Sequence, residues 1–115
     1  MDVVTAGETP SRGEVWLVAL GPTQGSEIRK TRPCLVVSPD EMNNYLATVV
    51  VAPLTTTVRP YPSRVGLRFK GKRGQAALDQ IRTVDKSRLL KKLGRAPESA
   101  AIEVAGVLVE MFRWQ

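Results

Sequence analysis

The stretch Gly25 to Val37, Gly-Ser-Glu-Ile-Arg-Lys-Thr-Arg-Pro-Cys-Leu-Val-Val, decides how the rest of the chain can fold. A charged segment leads into the apolar run 34–37, which is short, β-branched and closed by Ser38-Pro39. Such a run predicts a strand in the core. Pro33 favours extended geometry at Arg32, so a rigid scaffold is predicted to hold this arginine where the strand begins. On its own, an arginine before a strand is more often a surface or ion-paired residue.

Length and composition indicate the class of protein. The chain has 115 residues, 43% hydrophobic and 24% charged, which predicts one domain with a modest core. No apolar run approaches the ~18 residues of a membrane span. The first residues do not combine a basic segment with an apolar one, as a secretory signal does. We therefore expect a cytoplasmic protein with no membrane partner, with a flexible tail over residues 1–11 and one domain over residues 12–115.

Few reactive side chains are available. The chain has one cysteine, Cys34, and no histidine. Because Cys34 lies in the apolar run, we expect a buried, inert thiol rather than a nucleophile. Without histidine, the commonest general base and zinc ligand and every Ser-His or Cys-His pair are excluded. We expect no metal site and no cofactor, and an enzyme of this sequence must use Arg, Lys, Glu, Asp, Thr, Tyr or backbone groups.

Positive charge is concentrated in one part of the chain. Residues 59–95 contain twelve Lys or Arg and two acidic residues, a net charge of +10, whereas the remaining residues carry −4. With a pI near 10.0, this basic block indicates a polyanionic partner: nucleic acid first, an anionic membrane second and an acidic protein third. Charge alone supports a solvated surface that keeps the protein soluble equally well.

Short strands separated by Pro and Gly turns make up most of the chain. We predict strands over 14–20, 33–37, 46–52 and 64–70, a hairpin loop over 71–74, and a further strand over 76–84 that bends near Asp79 and Gln80. Pro53 is predicted to end the third strand. Residues 86–93 fit a strand or a helical turn equally well.

Two helical segments are predicted. Ser38-Pro39 suits the beginning of one short turn, and Pro97-Glu98 opens the one clear helix, with Pro97 in its first position. Ile102, Ala105, Val109 and Phe112 lie on one side of that helix and are predicted to face the core. Many short strands and one closing helix predict a small, curled β-barrel or two-sheet fold.

Five segments carry a further signal because they occur in one order. They are Arg12-Gly13-Glu14-Val15-Trp16, then Gly25-Ser26-Glu27 with Thr31-Arg32-Pro33, then Ser38-Pro39 with Asn43-Asn44, then Pro53-Leu54-Thr55, and finally Asp79 to Leu89. Together they resemble the MazF/PemK family of toxin–antitoxin endoribonucleases over roughly residues 11 to 113. The sequence departs from the family at residues 74–77, where many relatives carry Ser before an apolar strand.

The resemblance implies a mainly β fold with a C-terminal helix, an SH3-like small β-barrel of the MazF/PemK (CcdB-like) type. It also implies a homodimer, metal-independent cleavage of single-stranded RNA at short sequence motifs, and a cognate antitoxin whose flexible tail blocks the RNA groove. By position in the motifs, Arg32 and Thr55 match the family's central catalytic residues, and Glu27 matches a less uniform contributor.

The same residues suit cleavage by the 2′-hydroxyl of the RNA itself, which gives a 2′,3′-cyclic phosphate and a 5′-hydroxyl without a metal ion. A fixed Arg32 would bond the phosphorane oxygens. Thr55 could bond a phosphate oxygen or the leaving 5′-oxygen. Glu27 is the most reasonable base, although a loop glutamate is as often the partner of a nearby cation. Further RNA contacts are predicted from Lys30, Arg59, Tyr61, Arg64, Arg68, Gln80 and Arg82.

Two other functions are compatible with the same fold. One is a non-nucleolytic, CcdB-like toxin that binds a protein target such as DNA gyrase. The other is a catalytically silent RNA-binding module. Tyr61 also has two interpretations, a platform for a stacked base or an exposed loop tyrosine. Retention of both Arg32 and Thr55 favours the nuclease.

Overall fold

The computed structural model describes residues 8–21, 25, 27–28 and 30–114. Its strands are β1 (Glu14–Ala19), β2 (Thr31–Val36), β3 (Thr48–Thr55), β4 (Arg64–Phe69), β5 (Lys72–Ala77), β6 (Arg82–Asp85) and β7 (Leu89–Arg95). Helix α1 (Asp40–Tyr45) connects β2 to β3, and helix α2 (Glu98–Phe112) follows β7. Two 3-10 turns, Leu78–Gln80 and Lys86–Arg88, lie on either side of β6.

The strands form one antiparallel sheet in the order β4-β5-β3-β2-β1-β7, and β6 also pairs with β3. β3 pairs with β6 over Thr48–Val51 and then with β5 over Leu54–Thr55. The sheet curls until its two outer strands approach each other, since a Cβ placed on Gly94 in β7 would lie 3.4 Å from Cζ of Phe69 in β4. The predicted curled β fold with a C-terminal helix is therefore confirmed.

The central strands are buried on both faces. In β2, Cys34 and Val36 pack in a cluster with Trp16, whereas Leu35 packs in a second cluster on the other face. Alternate residues of a strand point to opposite faces, so two buried faces require the continuous apolar run found in the sequence. Cys34 is 0% exposed, and burial raises the pKa of its thiol to about 12, which confirms an inert cysteine.

Two strand predictions are corrected. β3 does not end at Pro53, because this residue is the last to pair with β2 and the strand continues by pairing with β5. A proline lacks an N–H and is tolerated where a strand changes partners. The hairpin loop is only Lys70-Gly71, with φ of 49° and 79°, which suits a two-residue turn. Residues 72–74 therefore belong to β5 rather than to a loop.

Two other expectations for this half of the chain are resolved. The predicted bend near Asp79 and Gln80 is confirmed, because the 3-10 turn Leu78–Gln80 separates β5 from β6. Residues 86–93 contain both of the alternatives, a helical turn and then β7.

Helix α2 begins as predicted, although Pro97 occupies its cap position rather than its first turn. The predicted core-facing side is wrong: Ile102, Val109 and Phe112 are 66%, 58% and 69% exposed, and Ala105 is exposed as well. A neighbouring side packs instead, with Ala100 and Val104 buried and Val107 and Leu108 partly buried against the second cluster. α2 has apolar residues on both sides, so helical periodicity alone cannot select between them.

The predicted N-terminal tail falls partly outside the described residues. Residues 1–7 are not among them, whereas Pro10 is fully buried and the Ser11 N–H donates to Glu14 Oε1 at 2.9 Å. The chain therefore packs on the domain from Pro10 onward, earlier than predicted. Within the described residues, no helix has both the length and the apolar character needed to cross a membrane.

Candidate active site

Strands β2 and β3 bring Arg32 and Thr55 to one place. Cys34 in β2 pairs with Pro53 in β3, and Arg32 and Thr55 each lie two residues beyond this last pair. Both residues line two adjoining cavities, one of about 580 Å³ and one of about 430 Å³. We call the larger the polar groove and the smaller the apolar cavity. The arginine and threonine predicted from the sequence motifs therefore lie at the junction of two concave surfaces.

Eight of the ten predicted site residues line the polar groove: Glu27, Lys30, Arg32, Thr55, Arg59, Tyr61, Arg64 and Gln80. The other two, Arg68 and Arg82, line neither cavity. The structure thus assembles one site from the loop before β2, the end of β3, the loop between β3 and β4, and the turn before β6.

Thr55 is held rigidly at the end of β3. It is 8% exposed, and its Oγ1 accepts a hydrogen bond from the Thr57 N–H at 3.0 Å. A hydroxyl that accepts in this way still has its own proton to donate. On the other side, Gly74 lies so close that an added Cβ would be 2.6 Å from the Thr55 carbonyl oxygen. The position of the Thr55 hydroxyl is therefore set by its own strand and by β5.

Arg32 has a half-buried position near the beginning of β2. Its carbonyl accepts a hydrogen bond from Cys34 Sγ at 3.6 Å. Lys30, two residues earlier, has a positive φ of 71°, and its carbonyl accepts from the Leu20 N–H at 3.1 Å. A left-handed lysine is uncommon, and here it turns the loop into the strand. The scaffold predicted for Arg32 is present on both sides of the residue.

The loop that carries Glu27 is attached to the turn before β6 through the main chain of Ile28. The Ile28 N–H donates to Gln80 Oε1 at 2.6 Å, and its carbonyl accepts from Arg82 Nη2 at 2.7 Å. The Ile28 side chain also packs against the first cluster. Gln80 Oε1 and Arg82 Nη2 therefore hold the main chain next to Glu27, and the RNA contacts predicted for these two residues stay predictions.

The guanidinium of Arg64, which is predicted to bind RNA, is bonded to other groups of the protein. It bonds Asp79 through Nε at 2.7 Å and through Nη2 at 3.3 Å, and its side chain is 6% exposed. Nη1 donates to the Thr57 carbonyl at 3.4 Å. The hydrogen bonds that Arg64 donates to Asp79 lower the pKa of this carboxyl from its ordinary 3.8. Arg64 therefore organises the loop between β3 and β4.

The loop between β3 and β4 is also held by Gln75, a residue that the sequence did not indicate. Gln75 Oε1 accepts from the Arg59 N–H at 3.0 Å, and Gln75 Nε2 donates to the Arg59 carbonyl at 3.2 Å. The loop presents Tyr61, 47% exposed, with Cζ of Arg64 5.2 Å from the centre of its ring. The only available signal for Gln75 was its place in residues 74–77, where the chain departs from the family pattern.

Arg68 lies away from the groove. It is exposed in β4 between Leu67 and Phe69, two residues that line the apolar cavity. Since consecutive residues of a strand point to opposite faces, Arg68 faces away from the apolar cavity and lies on the same side of β4 as Arg64. Its predicted contact with RNA stays a prediction.

The charges of the polar groove suit an anion. Lys30 and Arg59 are exposed beside Arg32, while Asp79 is neutralised by Arg64. Within the part of the chain that the structure describes, no group of three or more His, Cys, Asp or Glu side chains could hold a metal ion. The arrangement can therefore bind a phosphodiester through a fixed arginine and a hydroxyl donor.

Comparison with known proteins supports this assignment. Residues 11–112 match the family model described as PemK-like, MazF-like toxin of type II toxin-antitoxin system. The chain is 40% identical over 103 residues to Endoribonuclease MazF of Staphylococcus epidermidis, covering 84% of this chain and 86% of that protein.

Solved structures agree with the fold. The crystal structure of MazF from Deinococcus radiodurans superposes with a TM-score of 0.78 at 30% identity, over 90% of this chain and 96% of that one. An endoribonuclease in complex with its cognate antitoxin from a mycobacterial species gives a TM-score of 0.76 at 28% identity, over 92% of this chain and 99% of that one.

Proposed function

The chain belongs to the family of PemK-like, MazF-like toxins of type II toxin-antitoxin systems, and we propose from this and from its site that it is an endoribonuclease toxin that cuts single-stranded RNA at short sequence motifs. The observation that carries the proposal is the meeting of Arg32 and Thr55 at the junction of two cavities. The exposed cations Lys30 and Arg59 add charge for the RNA backbone.

The reaction is an attack of the RNA 2′-oxygen on the neighbouring phosphorus. The bond from O2′ to phosphorus forms while the bond from phosphorus to O5′ breaks, which leaves a 2′,3′-cyclic phosphate and a 5′-hydroxyl. The Glu27 carboxylate accepts the proton of the 2′-hydroxyl. The Thr55 hydroxyl passes its proton to the leaving O5′ and is reprotonated from solvent. No metal ion takes part in these steps.

Arg32 stabilises the charge that develops between these two proton transfers. The phosphorane has one more negative charge on its oxygens than the starting phosphodiester, and a guanidinium can donate two parallel hydrogen bonds to such oxygens. A donor fixed before the reaction needs no reorganisation during it. Removal of such a donor typically slows catalysis 10²- to 10³-fold, about 2.7–4 kcal/mol.

The test compares two arginine variants on single-stranded RNA in the presence of a chelator. We expect the wild type to produce fragments with 5′-hydroxyl ends and Arg32→Ala to produce them about 10²- to 10³-fold more slowly, with an unchanged thermal unfolding curve. Arg68→Ala, which removes an equal charge at a residue that lines neither cavity, should cut normally. Intact RNA with the wild type would indicate a binder instead, and full activity in Arg32→Ala would refute this site.

An antitoxin partner is proposed for the same groove. The mycobacterial endoribonuclease of the same fold was solved with its cognate antitoxin, and the cationic polar groove suits an acidic, flexible tail. The cognate antitoxin should therefore inhibit cleavage competitively with RNA, and Arg59→Ala should weaken its binding. We also propose that the protein acts in the cytoplasm, where it would meet both RNA and its antitoxin.

A homodimer is proposed from the exposed side of α2. Ile102, Val109 and Phe112 form an apolar stripe on that side, and contiguous exposed apolar surface commonly marks an interface. The molar mass by light scattering should be that of two chains. The double variant Ile102→Glu and Val109→Glu should halve it, and an unchanged dimer in that variant would exclude this face as the interface.

A further inference from the structure

Arg88 is an exposed residue of the basic block that lines neither the polar groove nor the apolar cavity. It is the last residue of the 3-10 turn Lys86–Arg88 and comes directly before β7. Resting on the proposed function, we propose that Arg88 is a positioning residue, whose guanidinium holds the base of the loop before β2 and so fixes Lys30 and Arg32 in the polar groove.

The guanidinium of Arg88 contacts the main chain where β1 ends. Its Nη1 donates a hydrogen bond to the Ala19 carbonyl at 3.0 Å. The same nitrogen lies 3.0 Å from the position that a Cβ on Gly21 would occupy, and Gly21 has a φ of 75°. Glycine suits this place twice, since it adopts a left-handed backbone without strain and leaves room for the guanidinium. The contact thus joins the beginning of β7 to the first residues of the loop.

From Gly21 the connection continues to residues of the polar groove. The Gly21 carbonyl accepts a hydrogen bond from the Lys30 N–H at 3.4 Å, and the Lys30 carbonyl accepts one from the Leu20 N–H at 3.1 Å. These two bonds close the base of the loop. Because Lys30 is followed directly by β2, which carries Arg32, a shift of Gly21 would move both of these cations.

The strand register places Arg88 at the end of the sheet where the site lies. Val18 of β1 pairs with Arg32 of β2 on one side and with Leu89 of β7 on the other. Adjacent strands lie about 4.8 Å apart, so the Cα atoms of Leu89 and Arg32 are about 10 Å apart along this row. Arg88 immediately precedes Leu89 and therefore acts on the site over a distance of two strands.

The turn that presents Arg88 is itself held in place. Asp85 Oδ1 accepts a hydrogen bond from the Ser87 N–H at 2.9 Å, and the Lys86 N–H donates to the Ala47 carbonyl at 3.0 Å. Arg88 therefore reaches the loop from a fixed part of the domain.

Arg95 makes the same kind of contact at the other end of β7 and supplies a matched control. Its Nη2 donates to the Arg12 carbonyl at 3.0 Å and lies 3.3 Å from the position of a Cβ on Gly13, which has a φ of 93°. Arg95 is also exposed and lines neither cavity of the site. It pairs with Glu14, at the end of β1 remote from Arg32. Each arginine thus holds the main chain at one end of β1, but only Arg88 does so next to the site.

The test is single-turnover cleavage of single-stranded RNA at saturating protein. Since a misplacement of about 1 Å can slow an enzyme about 100-fold, we expect release of this one contact in Arg88→Ala to slow cleavage about 10-fold. Arg95→Ala should cut at the wild-type rate. Arg88→Lys retains a donor for the Ala19 carbonyl and should recover part of the lost rate. Binding of an RNA with a 2′-deoxyribose at the cleavage site should keep its salt dependence in Arg88→Ala, because a positioning residue neutralises no phosphate.

Equal cleavage rates for Arg88→Ala and Arg95→Ala would overturn the proposal. So would a wild-type rate at saturation together with a weaker salt dependence of binding, since Arg88 would then be a phosphate contact. Asp85→Ala, which releases the turn, is the second variant should Arg88→Ala fail to fold; it should also slow cleavage, and a wild-type rate in it would contradict the proposal. Absence of cleavage by the wild type would refute the proposed function itself, and the inference with it.

Discussion

Gly74→Ala should displace Thr55, the threonine to which we assign a catalytic role, without changing any side chain of the site. A Cβ at Gly74 would lie 2.6 Å from the Thr55 carbonyl oxygen and 3.4 Å from its carbonyl carbon. Both are backbone atoms of a paired strand, so neither can rotate away. To restore an ordinary separation of 3.4 Å, β3 and β5 must move apart by about 0.8 Å at this point.

The size of the effect follows from that displacement. A misplacement of about 1 Å can slow an enzyme about 100-fold, so we expect kcat to fall about 50-fold. Overpacking of this kind destabilises a protein by about 1–3 kcal/mol, which corresponds to a fall in Tm of about 4–12 °C for a domain of this size. The folded variant should therefore be abundant at 25 °C yet nearly inactive.

The assay is single-turnover cleavage of a fluorogenic RNA at saturating protein, with Tm followed by circular dichroism. Gly66→Ala is the matched control, because the nearest atom to its Cβ, the Gly74 carbonyl oxygen, is at 3.9 Å. It should retain wild-type kcat. The reasoning fails if Gly74→Ala cuts RNA at the wild-type rate, or if Gly66→Ala loses as much activity as Gly74→Ala does.

Three further outcomes are expected. Gln75→Leu removes both hydrogen bonds to the Arg59 peptide and should raise KM for RNA about 10-fold with little change in kcat, whereas Leu90→Ala, in another strand, should change neither. Arg64 holds the pKa of Asp79 below its ordinary 3.8, so the contribution of Asp79 to stability is complete above that pH and is lost as the pH falls through the lowered pKa. Asp79→Asn should therefore flatten the decline of Tm between about pH 5 and pH 2. An unchanged decline would contradict this. Because burial raises the pKa of Cys34 to about 12, a thiol reagent at pH 8 should label the protein only at the rate of unfolding, and rapid labelling of the folded protein would contradict the buried position.

The strands could be predicted because their signals are local. A strand buried on both faces needs consecutive apolar residues, and residues 34–37 supply them, as does the run of valines in β3. The packed side of α2 could not be predicted, since apolar residues occupy both of its sides and only contact with the sheet selects one. Pro53 failed as an end signal because its effect depends on which strands lie beside it.

The two residues to which we assign catalysis could be predicted only through motifs. Neither Arg32 nor Thr55 differs in type from many other residues of the chain, and the fold brings them to the same two cavities across a sequence separation of 23 residues. The hydrogen bonds that support the site could not be predicted. A basic residue in the sequence can bind phosphate, but the sequence does not show whether its donors are already bonded to another residue. Arg64 is basic in the sequence, yet its donors are bonded to Asp79 and the loop in the structure.

The loop before β2 and the loop between β3 and β4 are each held through the main chain of one residue, which explains how a site without histidine can be organised. Gln80 and Arg82 hold the main chain at Ile28, and Gln75 holds it at Arg59, so each wall of the polar groove is attached by two hydrogen bonds to a strand or turn. Amides and guanidinium groups stay in the same protonation state near neutral pH, and the attachment is therefore insensitive to pH. Because these hydrogen bonds hold the main chain at Ile28 and Arg59 without RNA, less conformational entropy is lost at these two residues on binding. The cations that stay exposed, Lys30 and Arg59, then act from fixed positions, which is the condition under which charge lowers a reaction barrier.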